Sequence, residues 1–280
     1  MVTTLQQATP ARLHHLHIVS DEPQRLAAFY RAQLGLADIV SGDDRIVLTG
    51  PDRAVEISGS RSGRLSCSCY VVGSTQDLAL LRQRLIGQDV ECVPTDSVLY
   101  QSGAFMIRDP QGRCASFGVA AGLPQRDGLP GRLQHTVFQT TELERVVAFY
   151  TDVVGFAISD EVVDDNGKAI VVFLRSDDEH HSLAFFQGSQ NVWDHHCYET
   201  NEWNDIRDWG DRFAEAEVPI FFGPGRHGPG NNLFFMVTDP DGNCLEFSAE
   251  LVHVGVHDMP GVWPHGERTL NSWGRAWIRT

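Results

Sequence analysis

The feature that most constrains this chain is that it repeats itself. The segment LHHLHIVSDEPQRLAAFYRAQLGLADI, from Leu13, lies over LQHTVFQTTELERVVAFYTDVVGFAIS, from Leu133, at an offset of 120 residues. His15 falls on His135, Phe29 and Tyr30 on Phe149 and Tyr150, and Gly35 on Gly155. Further on, AFMIRDPQGRCASF lies over LFFMVTDPDGNCLEF with Asp109 on Asp239, at an offset of 130. Self-similarity over such lengths means one structural unit used more than once. The 280 residues suffice for two domains, each with its own core. We expect an amino-terminal domain over 1–120, a Gly- and Pro-rich linker over 121–131, a second domain over 132–250 and a tail over 251–280.

Within each copy the pattern is strand, helix, then several strands. Residues 133–139 alternate as a strand does, and 142–153 carries Val146, Val147, Phe149 and Tyr150 on one helical face, with Thr140 or Thr141 to cap it and Gly155 to close it. Strands are expected at 169–174 and 181–186. A second unit begins at Asp194, with a helix over 203–216 and strands near 219–222, 233–237 and 244–248. DPQG and DPDG are tight turns with Pro at the second position. The fold class is therefore α+β: two tandem domains, each of two βαβββ units forming an open barrel around a central cavity.

Charge and hydropathy exclude some partners. Lys plus Arg number 22 against 37 acidic residues, a net charge of −15, which disfavours nucleic acid or an anionic membrane as the main partner. No apolar run approaches the roughly 18 residues needed to span a bilayer, and MVTTLQQATPARLHH lacks the apolar core of a secretory signal, so a cytoplasmic protein is expected. Of six cysteines only Cys67 and Cys69 are close in sequence, without the paired spacing of a zinc site; buried, reduced thiols are expected.

The twelve histidines are distributed unevenly. Three (His14, His15, His17) lie near the start, none occurs over 18–134, and nine follow. Side chains alternate between the faces of a strand, so Cys244, Glu246 and Ser248 share one face and Leu245 and Phe247 the other. A carboxylate on so apolar a strand is costly to bury unless it is paired or binds a metal. Two neutral imidazoles plus one carboxylate form the facial set of non-haem Fe(II), which leaves positions open, and the same set suits Zn or Mn(II). His135 and Glu246 are two candidates; parity leaves the third open between His195 and His196. Ser68 and Ser116 stand in the first copy where His196 and Glu246 stand in the second, so only the second copy carries a full set.

These residues resemble the type I extradiol ring-cleavage dioxygenases of the vicinal oxygen chelate superfamily, over about residues 12–250. HHSLAF over 180–185 is similar to the segment of that family's acid–base histidine, matched by His181; DHHCYE over 194–199 to that of its second metal histidine, matched by His196. GRHGPGN over 225–231 resembles the loop with a substrate-facing histidine, matched by His227, and DPDGNCLEF the segment of the metal glutamate, matched by Glu246. The resemblance thus implies metal ligands His135, His196 and Glu246, with His181 and His227 catalytic. It implies Fe(II), with Mn(II) as the other candidate, and oxygen-dependent cleavage of a small aromatic diol. By analogy of fold it implies a homo-oligomer.

One departure concerns the substrate. The family's tyrosine ten residues before the glutamate is Met236 here, and a thioether donates no hydrogen bond. Asn231 and Asn232 are nearby candidates to supply the missing donor, and Trp193, Phe186 and Phe234 to line a ring-binding pocket. His180 and His195 are expected to face away from the site as supporting or solvent groups, and His14 and His17 to be structural. The tail carries Trp263, Trp273 and Trp277; covering the pocket mouth and packing on a partner subunit both remain open for it. Two other classes fit the scaffold. A glyoxalase-type lyase or isomerase with Zn, Ni or Mn is opposed by the pair His181 and His227. A non-enzymatic small-molecule binder would need no metal set.

Overall fold

The structure, a computed structural model, describes residues 10–42, 44–60, 64–122, 124, 127–255 and 257–276. The first half runs β1 (Ala11–Ser20), α1 (Pro23–Leu34), β2 (Ala37–Ser41), β3 (Arg45–Gly50), β4 (Arg53–Gly59), β5 (Arg64–Val72), α2 (Thr75–Ile86), β6 (Val93–Pro94), β7 (Phe105–Arg108) and β8 (Cys114–Gly118). The second half runs β9 (Arg132–Thr140), α3 (Leu143–Ala148), β10 (Ala157–Val163), β11 (Ala169–Arg175), β12 (Leu183–Gln187), β13 (Val192–Glu199), α4 (Trp203–Glu215), β14 (Phe222–Arg226), β15 (Leu233–Thr238) and β16 (Cys244–Ala249). The tail adds β17 (Gly261–Pro264) and α5 (Glu267–Leu270).

Each half is one mixed sheet. The strand orders are β2-β3-β4-β1-β5-β8-β7-β6 and β14-β15-β16-β13-β9-β12-β11-β10-β17. In each sheet the first strands of its two βαβββ units, β1 with β5 and β9 with β13, pair antiparallel at the centre, and each is flanked by the last strand of its own unit in parallel. The four-unit reading of the repeat is therefore the architecture. No helix among the described residues is long and apolar enough to cross a membrane.

Local chemistry explains most boundaries. The α3 helix runs into a π-helical turn over Phe149–Val154 and stops at Gly155, whose φ of +89° lies where a side chain is strained. Its N-cap is Glu142, not Thr140 or Thr141, although Thr140 Oγ1 accepts from the Glu142 amide at 3.3 Å. At α4, Glu202 and Asp205 form a reciprocal capping box. The DPDG turn closes as expected, with Asp239 Oδ1 accepting from the amides of Asp241 and Asn243. The strand expected near 219–222 is displaced to β14, because FGPGR pairs with β15 through a bulge in spite of its low strand propensity.

The alternation along β16 sorts the two faces. Leu245 and Phe247 pack toward α4, where Phe247 meets Trp209 at 4.6 Å and Phe213 at 5.1 Å between ring centroids. Glu246 faces the other way. Arginines join the halves: buried Arg53 donates to the carbonyls of Leu129 and Gly131, and half-buried Arg212 to those of Ala32 and Gln33. Each of these arginine–carbonyl bonds is stronger than a neutral pair.

The thiol expectation fails at one pair. Cys67 and Cys114 are opposite each other on the parallel strands β5 and β8, with Cα atoms 4.6 Å apart, and are joined as a disulfide. Their positions lie 47 residues apart in sequence, so the C-x-C spacing carried no sign of the pairing. Cys69, Cys92 and Cys197 carry free thiols, and Cys69 and Cys197 are buried.

Candidate metal centre

The concave face of the second sheet encloses a cavity of about 170 Å³. Its lining combines polar side chains, His135, His181, His195, His227, Asn232 and Glu246, with apolar ones that include Val162, Ile170, Val171 and Phe186. The central pairing of β9 with β13 sets His135 against Cys197, and β13 against β16 sets Cys197 against Glu246. Residues two apart share a face, so His195 stands beside Cys197 on the cavity side.

The expectation for His196 is thereby corrected. His196 is fully buried on the opposite face of β13, its Nε2 3.4 Å from Tyr30 Oη of the first half and its ring stacked on Trp193 at 5.1 Å. The register of β13 forces one member of the pair inward and the other outward. The inward one is His195, with Nε2 3.4 Å from His135 Nε2 and 3.5 Å from Glu246 Oε2. A signal for this was present. The strand–helix units at β9 and β13 are offset by 60 residues, Leu143 to Trp203 at the helix starts and His135 to His195 within the strands. In the first half, strand register makes Cys67 the counterpart of His195, Ser68 that of His196 and Ser116 that of Glu246.

The two imidazoles are presented in the same way. His135 Nδ1 bonds to Gln134 Oε1 and His195 Nδ1 to Asp194 Oδ1. Both partners only accept, so each Nδ1 carries the hydrogen, and in the neutral rings each Nε2 offers a bare lone pair. With His195 Nε2 3.4 Å from His135 Nε2 and 3.5 Å from the Glu246 carboxylate, lone pairs and a negative charge crowd together and repel unless a cation is shared among them. Gln134 and Asp194 are the supporting acceptors that ligand imidazoles ordinarily have.

Glu246 is about 1% exposed. Burial alone would raise its carboxyl pKa, but His227 at 3.7 Å, then His195 and His181, hold it below the usual value. Asn232 Nδ2 donates to Glu246 Oε1 at 3.2 Å. Cys197 Sγ lies 3.8 Å from the same oxygen and 2.9 Å from Ser248 Oγ, and His135, Cys197 and Glu246 have donor atoms within 4.8 Å of one another. Burial and then the carboxylates of Glu246 and Glu199 push the Cys197 thiol well up. The thiol is engaged by Ser248 Oγ, whereas His195 Nε2 is turned toward both His135 and Glu246.

The surrounding histidines divide by position. Burial first, then His135 and His180, lower the His181 pKa well below its ordinary value; its ring centroid is 4.3 Å from that of His135. It lies just before β12 and not within a strand. The His227 ring lies flat on Phe234, 3.8 Å between centroids and 3° between planes, and its Nδ1 bonds to the Leu270 carbonyl.

The expected substrate contacts are only partly assembled. Met236, opposite Glu246 in the β15–β16 pairing, and Asn232 reach the cavity wall. Asn231 does not: it is exposed in a turn, at φ +53°. Trp193 faces His196 on the far side of the sheet, its indole donating to the His195 carbonyl at 2.9 Å. Phe234 has the parity of Asn232 and Met236 but is covered by His227. From the tail, β17 extends the sheet at β10, and His265, Gly266, Thr269 and Leu270 form part of the cavity wall. Trp277 lies outside the described residues.

Comparison with known proteins places these features in context. Residues 132–247 match the Glyoxalase/Bleomycin resistance protein/Dioxygenase superfamily. The chain is 31% identical over 252 residues to Metapyrocatechase 2 of Cupriavidus necator, covering 79% of this chain and 75% of that one. It is 26% identical over 267 residues to a biphenyl-2,3-diol 1,2-dioxygenase of Paraburkholderia xenovorans, covering 85% and 89%. Its fold superposes on homoprotocatechuate 2,3-dioxygenase of Brevibacterium fuscum in complex with 3,4-dihydroxyphenylacetate, with a TM-score of 0.84 at 20% identity, covering 98% and 92%.

Proposed function

The chain belongs to the type I extradiol dioxygenases of the glyoxalase/bleomycin resistance protein/dioxygenase superfamily, and on that premise we propose that its second half holds Fe(II) through His135, His195 and Glu246 and opens a catechol-type ring with dioxygen. The observation that carries the reading is the convergence of two imidazole nitrogens and one carboxylate, all buried, with both imidazoles oriented lone pair inward. When bound, the metal supplies positions for a diol and dioxygen side by side and a route for electrons between them.

The protein's own residues then have definite tasks. Val162, Ile170, Val171 and Phe186 offer an apolar wall to a ring and keep water from its face. His181 stands beside the donor set with its pKa lowered, so it is neutral at pH 7 and able to take a proton from a diol hydroxyl. His227, held in plane by Phe234 and by the Leu270 carbonyl, points Nε2 at the Glu246 side of the cavity and can hydrogen-bond substrate oxygen. Met236 provides no donor there, and Asn232 is already donating to Glu246. The substrate site is therefore poorer in donors than a tyrosine would make it, which suits a ring with an apolar substituent. Both oxygen atoms end in the ring-opened product, so no external reductant is needed.

The test is anaerobic loading with Fe(II), and separately with Mn(II), followed by oxygen-electrode measurement over a panel of substituted catechols. Equimolar loss of oxygen and diol, with a new visible absorbance from the ring-opened product, is expected. No oxygen uptake with any diol would overturn the reading.

A further inference from the structure

Behind His181, away from the cavity, lies a buried chain of polar groups that the proposed reaction does not itself use. His181 Nδ1 is 2.9 Å from His180 Nδ1, and His180 Nε2 is 3.0 Å from Asp160 Oδ2. The second contact is a close approach and not an aligned hydrogen bond, since His180 Nε2 makes no bond of good geometry. Asp160 is anchored by two further donors from the tail strand: the Gly261 amide at 2.8 Å to Oδ1 and the Trp263 indole at 2.6 Å to Oδ2. His180 and His181 are both under 5% exposed. The Gly230 backbone packs against the chain, where an added Cβ would lie 3.1 Å from His180 Nδ1.

From this geometry we infer that Asp160 and His180 are positioning residues that fix the tautomer and ring orientation of His181. The inference rests on His181 as the acid–base group of the proposed reaction. The fixed charge of Asp160 sets each hydrogen in turn. A carboxylate already accepting from an amide and an indole cannot donate, so the His180 nitrogen facing it carries the hydrogen. The other nitrogen of neutral His180, Nδ1, then has only a lone pair. It can pair with His181 Nδ1 only by accepting, so the hydrogen of His181 sits on Nδ1. That leaves His181 Nε2 bare toward the cavity, ready to accept a proton. A carboxylate two rings away thus sets which nitrogen meets the substrate, and β17 of the tail holds the carboxylate.

The direct test reads the tautomer without turnover. Imidazole ¹⁵N–¹H correlation spectra of the metal-free full-length chain should show His181 with a protonated Nδ1 and a bare Nε2. In Asp160→Asn the His181 signals should move toward a mixture of tautomers. In kinetics of the Fe(II)-loaded protein, Asp160→Asn and His180→Leu should lower kcat about tenfold or more, within the range of misplaced acid–base catalysis, with metal content and KM little changed. His180→Asn, which restores an acceptor at the Nδ1 position, should recover much of that loss; a merely packing role would leave Leu at least as good as Asn. A bare Nδ1 on His181 in the wild type, or an unchanged tautomer in Asp160→Asn, would overturn the inference. A His181→Ala variant separates the two layers. Full retained turnover there removes the acid–base reading, whereas the tautomer result stands or falls by itself.

Discussion

Replacing His196 by Leu distinguishes the two adjacent histidines by sign as well as by size. His196 is fully buried, with Nδ1 unpartnered and only a 3.4 Å approach to Tyr30 Oη at Nε2. Losing that weak bond costs about 1 kcal/mol, and removing an unsatisfied buried nitrogen returns a similar amount, so stability at pH 8 should change by less than about 1 kcal/mol. Acid alters the comparison. Burial, then His195, lowers the His196 pKa from 6.5 to about 3. A depressed histidine contributes stability above its unfolded pKa and loses it as pH falls from 6.5 toward 3, because the unfolded chain takes up the proton first. At pH 5.5 that loss is about 1.4 kcal/mol for one pH unit. The Leu variant lacks it and should be the more stable protein at pH 5.5 by roughly that amount. Urea denaturation of metal-free protein at the two pH values measures both numbers. Metal content should match the wild type, whereas His195→Ala should lose at least the roughly 10- to 100-fold in affinity that removing a mere supporting partner costs. A metal-free His196→Leu beside a metal-replete His195→Ala would refute the register argument.

Other consequences can be measured separately. Glu199 is half-buried, accepts from Ser248 Oγ and the Leu251 amide, and has its pKa raised to about 7 from 4.5, chiefly by desolvation. A raised carboxyl stabilises at low pH and loses that contribution as pH rises from 4.5 to about 7, so Glu199→Gln should gain on the wild type from under about 1 kcal/mol at pH 5 to about 3 kcal/mol at pH 8 in denaturant titration. Met236→Tyr should restore a hydroxyl beside Glu246 and raise kcat/KM for unsubstituted catechol relative to alkyl-substituted catechols. It should also lower Tm, because a buried side chain is enlarged at a cost of about 1–3 kcal/mol; an unchanged substrate ratio would show that the missing donor does not set specificity.

The architecture was legible because it is periodic. Four copies of one strand–helix–strands unit leave a repeat at 120 residues, and the parity of Leu245-Glu246-Phe247 separates the carboxylate from its apolar neighbours. The choice of His196 failed for a related reason. Likeness of short motifs does not fix register within an HH pair, but the internal offset of 60, which pairs His135 with His195, does. Asn231 and Trp193 failed because nearness in sequence was taken for nearness in space: one is in a left-handed turn, the other on the far face of β13. The β17 strand and α5 are four residues each, too short to show periodicity, and β17 owes its conformation to the edge of β10 and to Asp160. The Cys67–Cys114 bond depends on the β5–β8 register alone.

The position of the metal decides between His195 and His196 and underlies every role given to the surrounding side chains. Crystals of Fe(II)-loaded protein grown without oxygen, with diffraction recorded on both sides of the iron absorption edge, locate it directly. One anomalous peak among His135 Nε2, His195 Nε2 and the Glu246 carboxylate is expected; a peak at His196, or none in the second half of the chain, would exclude the proposed centre.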